Sequence, residues 1–230
     1  MKVLVLSGGI GKRLKPITDY VPKSLVPINN VPIIEWQIRY FKKFGVNEFV
    51  ICAGHKSEQI INYFEAKKNL KVKIDYSVEK TTLGTGGAIR KASRLINDES
   101  FFVINGDIIT NLDPRPLRSK KNSIAVVPLR TSFGLVDIVG DKVRKFREKP
   151  HVSDLWINAG IYHLLSDILQ HLPRVGNIED TIFPVFAAKG DLAVVKYTNA
   201  LWHSIDSHKD IEECSNNMKA NHYNDFLLKR

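Results

Sequence analysis

Cysteine is scarce: the 230 residues hold two, Cys52 and Cys214, and no Cys-x-x-Cys pair. That scarcity argues against a disulfide scaffold or a cysteine-based zinc site, and the thiols read as reduced. No run of about 18 apolar residues is present, so no membrane-spanning helix is expected. The first apolar stretch, residues 3–6, is too short for a secretory h-region, and the expected location is the cytoplasm. Neither the 14 glycines nor the 10 prolines recur with a period, which excludes a collagen. Hydrophobic residues at 43% and charged residues at 25% are globular values and exclude a disordered chain.

Positive charge is in excess: 34 Lys and Arg against 24 Asp and Glu, a net +10. An anionic partner is implied. The basic residues are scattered over Lys42-Lys43, Lys67-Lys68, Lys120-Lys121 and Arg144-Lys145-Arg147, in no zinc-finger, homeodomain or RNA-recognition pattern. The reading is therefore small phosphorylated ligands, with no nucleic acid and no membrane. Lys42-Lys43 and Lys67-Lys68 read as solvated helix faces, and Trp36 and Trp156 as core or rim aromatics.

Short apolar runs alternate with amphipathic stretches in the first half. Residues 3–6, 48–53, 72–78 and 101–104 read as strands; 31–45, 58–66 and 87–96 read as helices. Such alternation predicts an α/β fold: a Rossmann-like three-layer α/β/α sandwich with a mixed, mostly parallel central sheet. Past residue 122 the pattern changes to strands at 123–129, 135–139, 143–146, 157–164 and 192–197, with few helices between, then a polar helix at 209–224. The stretch 221–230 reads as a frayed helix or a contact surface. No repeat or linker interrupts the chain, so residues 1–230 are expected to form one domain of two halves, 1–113 and 114–230.

The feature with chemical content is Leu6-Ser7-Gly8-Gly9-Ile10-Gly11-Lys12-Arg13. A strand runs into a glycine-rich loop, whose backbone N–H groups can face an anion. Arg13 adds a guanidinium fork that suits phosphate oxygens. Pro22-Lys23-Ser24 supplies a second cation between prolines. The loop is not a P-loop, because Arg13 follows Gly11-Lys12 and Leu6 stands at the first glycine position. It is not a dinucleotide fingerprint either, since Leu14 stands at the third glycine.

The run from residue 6 to residue 18, with Pro22-Lys23, resembles the sugar-1-phosphate nucleotidyltransferases. Further matches follow in that family's order: EKTTLGTGGA at 79–88, Asn105-Gly106-Asp107, FREKP at 146–150, Asn158-Ala159-Gly160 and 202–206. The resemblance spans nearly the whole chain and is strongest to short mannose- and heptose-1-phosphate guanylyltransferases. It implies the reaction of a nucleoside triphosphate with a sugar 1-phosphate, giving a nucleotide sugar and pyrophosphate. The first half would bind nucleotide and the second the sugar phosphate. No C-terminal β-helix, found in many relatives, is expected.

The resemblance also implies residue roles. Arg13 and Lys23 are the catalytic cations. Leu6, Gly8, Gly9, Gly11, Glu79 and Gly84 bind the nucleotide. Gly134, Glu148, Lys149 and Asn158 bind the sugar phosphate. Asp107 and Asp206 hold Mg²⁺. In the commoner family pattern the second ligand aligns with Ser204; a Trp-x-x-Met-Asp variant of the cytidylyltransferases puts it at Asp206. Glu79 falls where the family reads the base, and a carboxylate that only accepts matches the adjacent N1–H and N2–H₂ of guanine. GTP is favoured on that ground, with CTP, UTP and dTTP as alternatives. A catalytically silent nucleotide-sugar-binding subunit is the rival reading. His203 and His208 read as supporting or surface residues. A homo-oligomer is compatible with the sequence.

Overall fold

The computed structural model describes residues 1–131, 133–148 and 151–228. The first half alternates β1 (Lys2–Ser7), α1 (Ile33–Lys43), β2 (Glu48–Ala53), α2 (Ser57–Ala66), β3 (Lys73–Val78), α3 (Gly84–Ala92) and β4 (Ser100–Asn105). A short strand β5 (Ile108–Thr110) follows. The second half brings β6 (Ser123–Arg130), the hairpin β7 (Leu135–Val139) and β8 (Lys142–Arg147), and the long β9 (His151–Leu165). The chain continues through α4 (Ile178–Lys189), β10 (Ala193–Lys196), β11 (Trp202–Ser204), α5 (His208–Ala220) and α6 (Tyr223–Leu228).

Seven strands form one twisted sheet in the order β10-β6-β9-β4-β1-β2-β3. All ladders in it are parallel except those of β9, which runs antiparallel to both β4 and β6. The expected mixed, mostly parallel sheet is thus present. Its layers follow from the period of two along each strand. Val3, Val5, Phe49, Ile51, Phe102 and Ile104 face α1 and α2. Leu4, Val50, Phe101 and Val103 face α3 and α4. Strands buried on both faces read as continuous apolar runs, as β1, β2 and β4 do.

On α1, Ile34, Ile38 and Phe41 share a helical face and are wholly buried, and Pro32 stands just before the helix. The helix begins at Ile33, because Val31–Pro32 pairs instead with Pro27–Ile28 in a small ladder. A third cluster joins Leu14, Ile28, Trp36, Ile205, Cys214 and Tyr223 beneath the glycine-rich loop. It seats the C-terminal helices against the start of the chain.

The structure differs from several expectations. Helix α4 went unread because Pro184 lies inside it and Pro is a helix-breaking signal. The α3 helix starts at Gly84, three residues earlier than expected, because its glycines allow close approach to the loop before α4. Within the stretch 221–230, residues Tyr223–Leu228 form a helix that packs on the body through Phe226 and Leu227. Tyr223 is buried, its ring stands edge-on to Trp36 with centroids 5.7 Å apart, and its hydroxyl donates to Thr110 O at 2.7 Å. The lysine pairs are also less free than expected: Lys42 donates to Leu70 O, and Lys67 lies 3.5 Å from the buried Glu35.

Tyr223→Ala should destabilise the fold by about 3–5 kcal/mol, the usual cost of deleting a buried aromatic ring. Tyr223→Phe should cost about 1 kcal/mol, that of one neutral hydrogen bond. Urea unfolding of both variants measures the two contributions separately.

Candidate active site

The glycine-rich loop leaves the carboxyl end of β1, where ligands of such sheets bind. Gly11 has φ +71°, a left-handed conformation that glycine adopts without strain. Its carbonyl accepts from Leu14 N and from Thr18 Oγ1, both at 2.9 Å. The turn carries Arg13 to the rim of the cleft, with its side chain 75% exposed. Across the loop, Gly106 N donates to Leu6 O at 2.9 Å, and a Cβ on Gly106 would overlap that oxygen. β1 and the turn after β4 therefore pack backbone to backbone.

Four charges meet here. Lys23 Nζ donates to Asp107 Oδ2 at 2.6 Å and to Asp206 Oδ1 at 2.7 Å. Arg13 Nη2 donates to the same Asp206 oxygen at 2.7 Å. Asp107 follows β4, Asp206 follows β11, and the β5–β11 ladder with Ile205 N donating to Asp107 O at 2.9 Å holds the two ends together. Burial works against the charged form of Asp206. The Lys23 and Arg13 charges, with a hydrogen bond from Ser204, outweigh it and hold this carboxyl below its ordinary range. Ser204 Oγ donates to Asp206 Oδ2 at 3.2 Å, and only Asp206 of the two lines the cleft.

Glu79 leaves β3 on the opposite wall. Its N–H donates to Ala53 O at 2.8 Å and its carboxylate accepts from Leu83 N at 3.3 Å. The carboxylate rests against Gly8 and Gly54: a Cβ at Gly54 would lie 2.8 Å from Glu79 Oε1, and one at Gly8 would overlap that atom. Burial raises the Glu79 carboxyl above its ordinary value of 4.5, against the pull of the Leu83 N–H and of Lys91. Gly84, at φ +74°, would bring a Cβ 2.7 Å from Gly176 C, so α3 and the 173–177 loop touch.

The cleft encloses about 400 Å³. Every residue expected at the nucleotide or metal lines it: Leu6, Gly8, Gly9, Gly11, Glu79 and Gly84, then Arg13, Lys23, Asp107 and Asp206. Of those expected at the sugar phosphate, Gly134, Glu148 and Asn158 do not. Gly134 faces Phe146, whose ring would stand 2.5 Å from a Cβ there, inside the exposed β7–β8 hairpin. Glu148 is exposed at the end of that hairpin. Asn158, on β9, bonds Tyr162 and Gly160. Lys149 lies outside the described residues. His203 is half-buried and contacts Asn217 at 3.1 Å.

Sequence reasoning missed Thr85 and Asn177, which also line the cleft, and their neighbours Glu179 and Tyr162. Thr85 N donates to Asn177 Oδ1 at 3.3 Å, and its hydroxyl donates to Glu179 Oε2. The available signal was the Asn177-Ile178-Glu179-Asp180 run, an N-cap residue with acids in a first turn; Pro184 masked it. Among the described residues no group of three or more His, Cys, Asp or Glu is placed to hold a metal. None of their helices is long and apolar enough to cross a membrane.

A cleft at the carboxyl ends of the parallel strands, ringed by a glycine loop, two cations and two carboxylates, defines a nucleotide-handling protein. The Nucleotidyl transferase family profile matches residues 2–221, and the chain belongs to that family: it is a nucleotidyltransferase. It is 36% identical over 173 residues to the D-glycero-alpha-D-manno-heptose 1-phosphate guanylyltransferase of Campylobacter jejuni, covering 73% of this chain and 77% of that one. It is 35% identical over 224 residues to the mannose-1-phosphate guanylyltransferase catalytic subunit beta of Dictyostelium discoideum, covering 91% of this chain and 62% of the relative. The crystal structure of HddC from Yersinia pseudotuberculosis superposes with a TM-score of 0.77 at 28% identity, over 94% of this chain and 99% of that one. Its complex with GMP-PN gives 0.74 at 27%, with the same coverage.

Gly8→Ala should displace Glu79, at an overpacking cost of about 1–3 kcal/mol, and weaken nucleotide binding measured by calorimetry. Unchanged affinity would remove this carboxylate from the nucleotide site. Asp206, with its depressed carboxyl, contributes stability above the ordinary carboxylate value of 3.8 and loses it as pH falls through the depressed one. Asp206→Asn should flatten that acid limb in urea unfolding followed against pH.

Proposed function

We propose that this chain transfers a guanylyl group from GTP to a manno-configured sugar 1-phosphate, releasing pyrophosphate. The observation that carries the reading is the pairing, in one cleft, of the Lys23–Asp107–Asp206–Arg13 cluster with Glu79 on the opposite wall. The cluster is suited to a triphosphate, and the carboxylate to a base with two adjacent N–H donors. The heptose- and mannose-1-phosphate guanylyltransferases among the relatives, and the GMP-PN complex of HddC, support the same nucleotide. Two buried, free thiols fit a reducing compartment such as the cytoplasm.

The nucleophile is a sugar phosphate oxygen, dianionic at neutral pH because its second pKa is about 6. It attacks the α-phosphorus in line; the bond to the bridging oxygen breaks and pyrophosphate leaves with that electron pair. No general base is needed, so the protein's work is positioning and charge neutralisation. Lys23 neutralises charge on the α-phosphate. Arg13, at the open rim, holds the departing β- and γ-phosphates. The glycine loop presents N–H groups to the same oxygens. Glu148, Lys149 and Asn158 are the residues proposed to bind the sugar phosphate; Gly134, expected to give it room, is faced instead by the Phe146 ring.

Asp107 and Asp206 are the residues for a Mg²⁺ ion. Two carboxylate oxygens that share one ammonium converge on one cation position. Mg²⁺ commonly takes one or two carboxylates and completes its shell with water and substrate phosphates, so a cage of three protein ligands is not required. When bound, the ion supplies further neutralisation of phosphate charge. Lys23 must then turn from the carboxylates toward the nucleotide, which its flexible stem allows.

The test is pyrophosphate release from each NTP with a panel of sugar 1-phosphates, with Mg²⁺ and with EDTA. A Mg²⁺-dependent signal with GTP and mannose or heptose 1-phosphate is expected. Turnover with CTP alone would overturn the base assignment, and silence with tight nucleotide-sugar binding would make the chain a binding subunit. Asp107→Ala and Lys23→Ala should each lower kcat by at least about 10²-fold, the scale of removing one electrostatic stabiliser. Glu79→Gln should relax base choice. Because the Glu79 carboxyl is raised, the KM for GTP should climb as pH falls, starting above pH 4.5, and Glu79→Gln should abolish that limb.

A further inference from the structure

Behind the cleft, four side chains form a directed hydrogen-bond chain. Asn158 Nδ2 donates to Tyr162 Oη at 2.7 Å, and Tyr162 Oη donates to Glu179 Oε1 at 2.9 Å. Thr85 Oγ1 donates to the other oxygen, Glu179 Oε2, and accepts from Ile178 N at 3.0 Å. Glu179 sits in the first turn of α4, where the helix dipole favours a carboxylate.

The direction of every bond follows from Glu179. A carboxylate only accepts, so Tyr162 and Thr85 must each donate their single proton to it. Tyr162 can then only accept from its other neighbours, which are the Asn158 and Asn105 amides. Asn158 must therefore turn its NH₂ to Tyr162, and its Oδ1 accepts from Gly160 N at 2.9 Å. One N–H and one lone pair of Asn158 remain, with their sides chosen. Burial and the Glu179 carboxylate both hold the phenol proton well above its ordinary range, so Tyr162 stays a donor.

We propose that Glu179 is a positioning residue which, through Tyr162, sets the orientation of the Asn158 amide and hence which sugar hydroxyls this enzyme can accept. The inference rests on the reading of Asn158 as a sugar contact. Glu179 touches no substrate in this scheme. Through Thr85 it also ties α3, at the nucleotide cleft, to β9.

The experiment compares Glu179→Gln, Tyr162→Phe, their double variant and Asn158→Ala in the full chain. Steady-state rates are taken with saturating GTP and with mannose 1-phosphate or D-glycero-D-manno-heptose 1-phosphate. In Glu179→Gln the amide oxygen keeps Thr85, while its NH₂ donates to Tyr162. The phenol proton then goes to an amide oxygen of Asn158 or Asn105 instead, and the Asn158 NH₂ is no longer held against an acceptor of fixed direction. KM for the sugar phosphate should rise roughly tenfold, the size of one hydrogen bond lost to substrate. KM for GTP and the melting temperature should stay near wild type. In the Tyr162→Phe background the same change should add nothing, because the relay is already cut. Independent, multiplying effects of the two substitutions would overturn the proposal. So would an unchanged sugar KM in Glu179→Gln where Asn158→Ala raises it. An unchanged KM in Asn158→Ala would instead overturn the sugar-contact reading beneath it.

Discussion

Two carboxylates from distant parts of the chain share one lysine, and the cleft is arranged around that contact. Asp107 and Asp206 would repel each other across a partly desolvated gap. The Lys23 ammonium, 16% exposed, reconciles them. Each partner is held from behind. The β5–β11 ladder fixes the backbone of both acids. At the start of α5, Asp210 Oδ2 accepts from Asp206 N at 2.9 Å and Ser207 N at 2.7 Å, in a capping box that pins the turn. Lys23 itself lies on a one-turn helix between the glycine loop and the ladder of residues 27–32. The C-terminal helices, through Tyr223 and Trp36, thus support a site made mainly from the first half of the chain.

Space is the second constraint. Glycines stand where backbone must meet backbone or where a carboxylate must lie flat. Gly106 meets Leu6, and Gly8 with Gly54 makes the seat of Glu79. The seat explains the raised Glu79 carboxyl: partial burial against the glycines costs it hydration, and the Leu83 N–H and Lys91 do not offset that loss. A carboxylate so placed gains most from a ligand that returns two N–H donors, which is the chemical sense of a guanine partner.

The cleft therefore has two electrostatic ends. At one, two cations meet two carboxylates, at the end proposed to take phosphate. At the other, a lone acceptor awaits donors. Behind both, the Thr85–Glu179–Tyr162–Asn158 chain spans from α3 through α4 to β9. A carboxylate at its centre orders the hydroxyl protons on each side. Positioning of this kind matters for a reaction whose nucleophile is already ionised.

The strands and the glycine loop were legible in the sequence because they rest on local order, whereas the other residues of the cleft were placed by resemblance to a family. Runs such as Val3-Leu4-Val5 reveal a doubly buried strand, and Gly8 to Arg13 is contiguous in the chain. Helix α4 was not legible, since Pro184 contradicts its local pattern and only burial of Ile178, Ile182 and Phe183 against the sheet sustains it. With α4 unread, Glu179 and its chain could not be found. Sequence assigned Asp206 over Ser204 through a variant pattern, and Asp206 is the one of the two that lines the cleft. The sequence by itself determined the sheet, its alternating faces and the chemistry of the loop, because side-chain period and glycine placement are local properties. Only the tertiary structure decided that Asp206 meets Lys23, that Glu79 lies in a glycine seat and that Asn158 is linked through Tyr162 to Glu179 of α4. Those contacts join residues far apart in the chain, and no local signal encodes their distance.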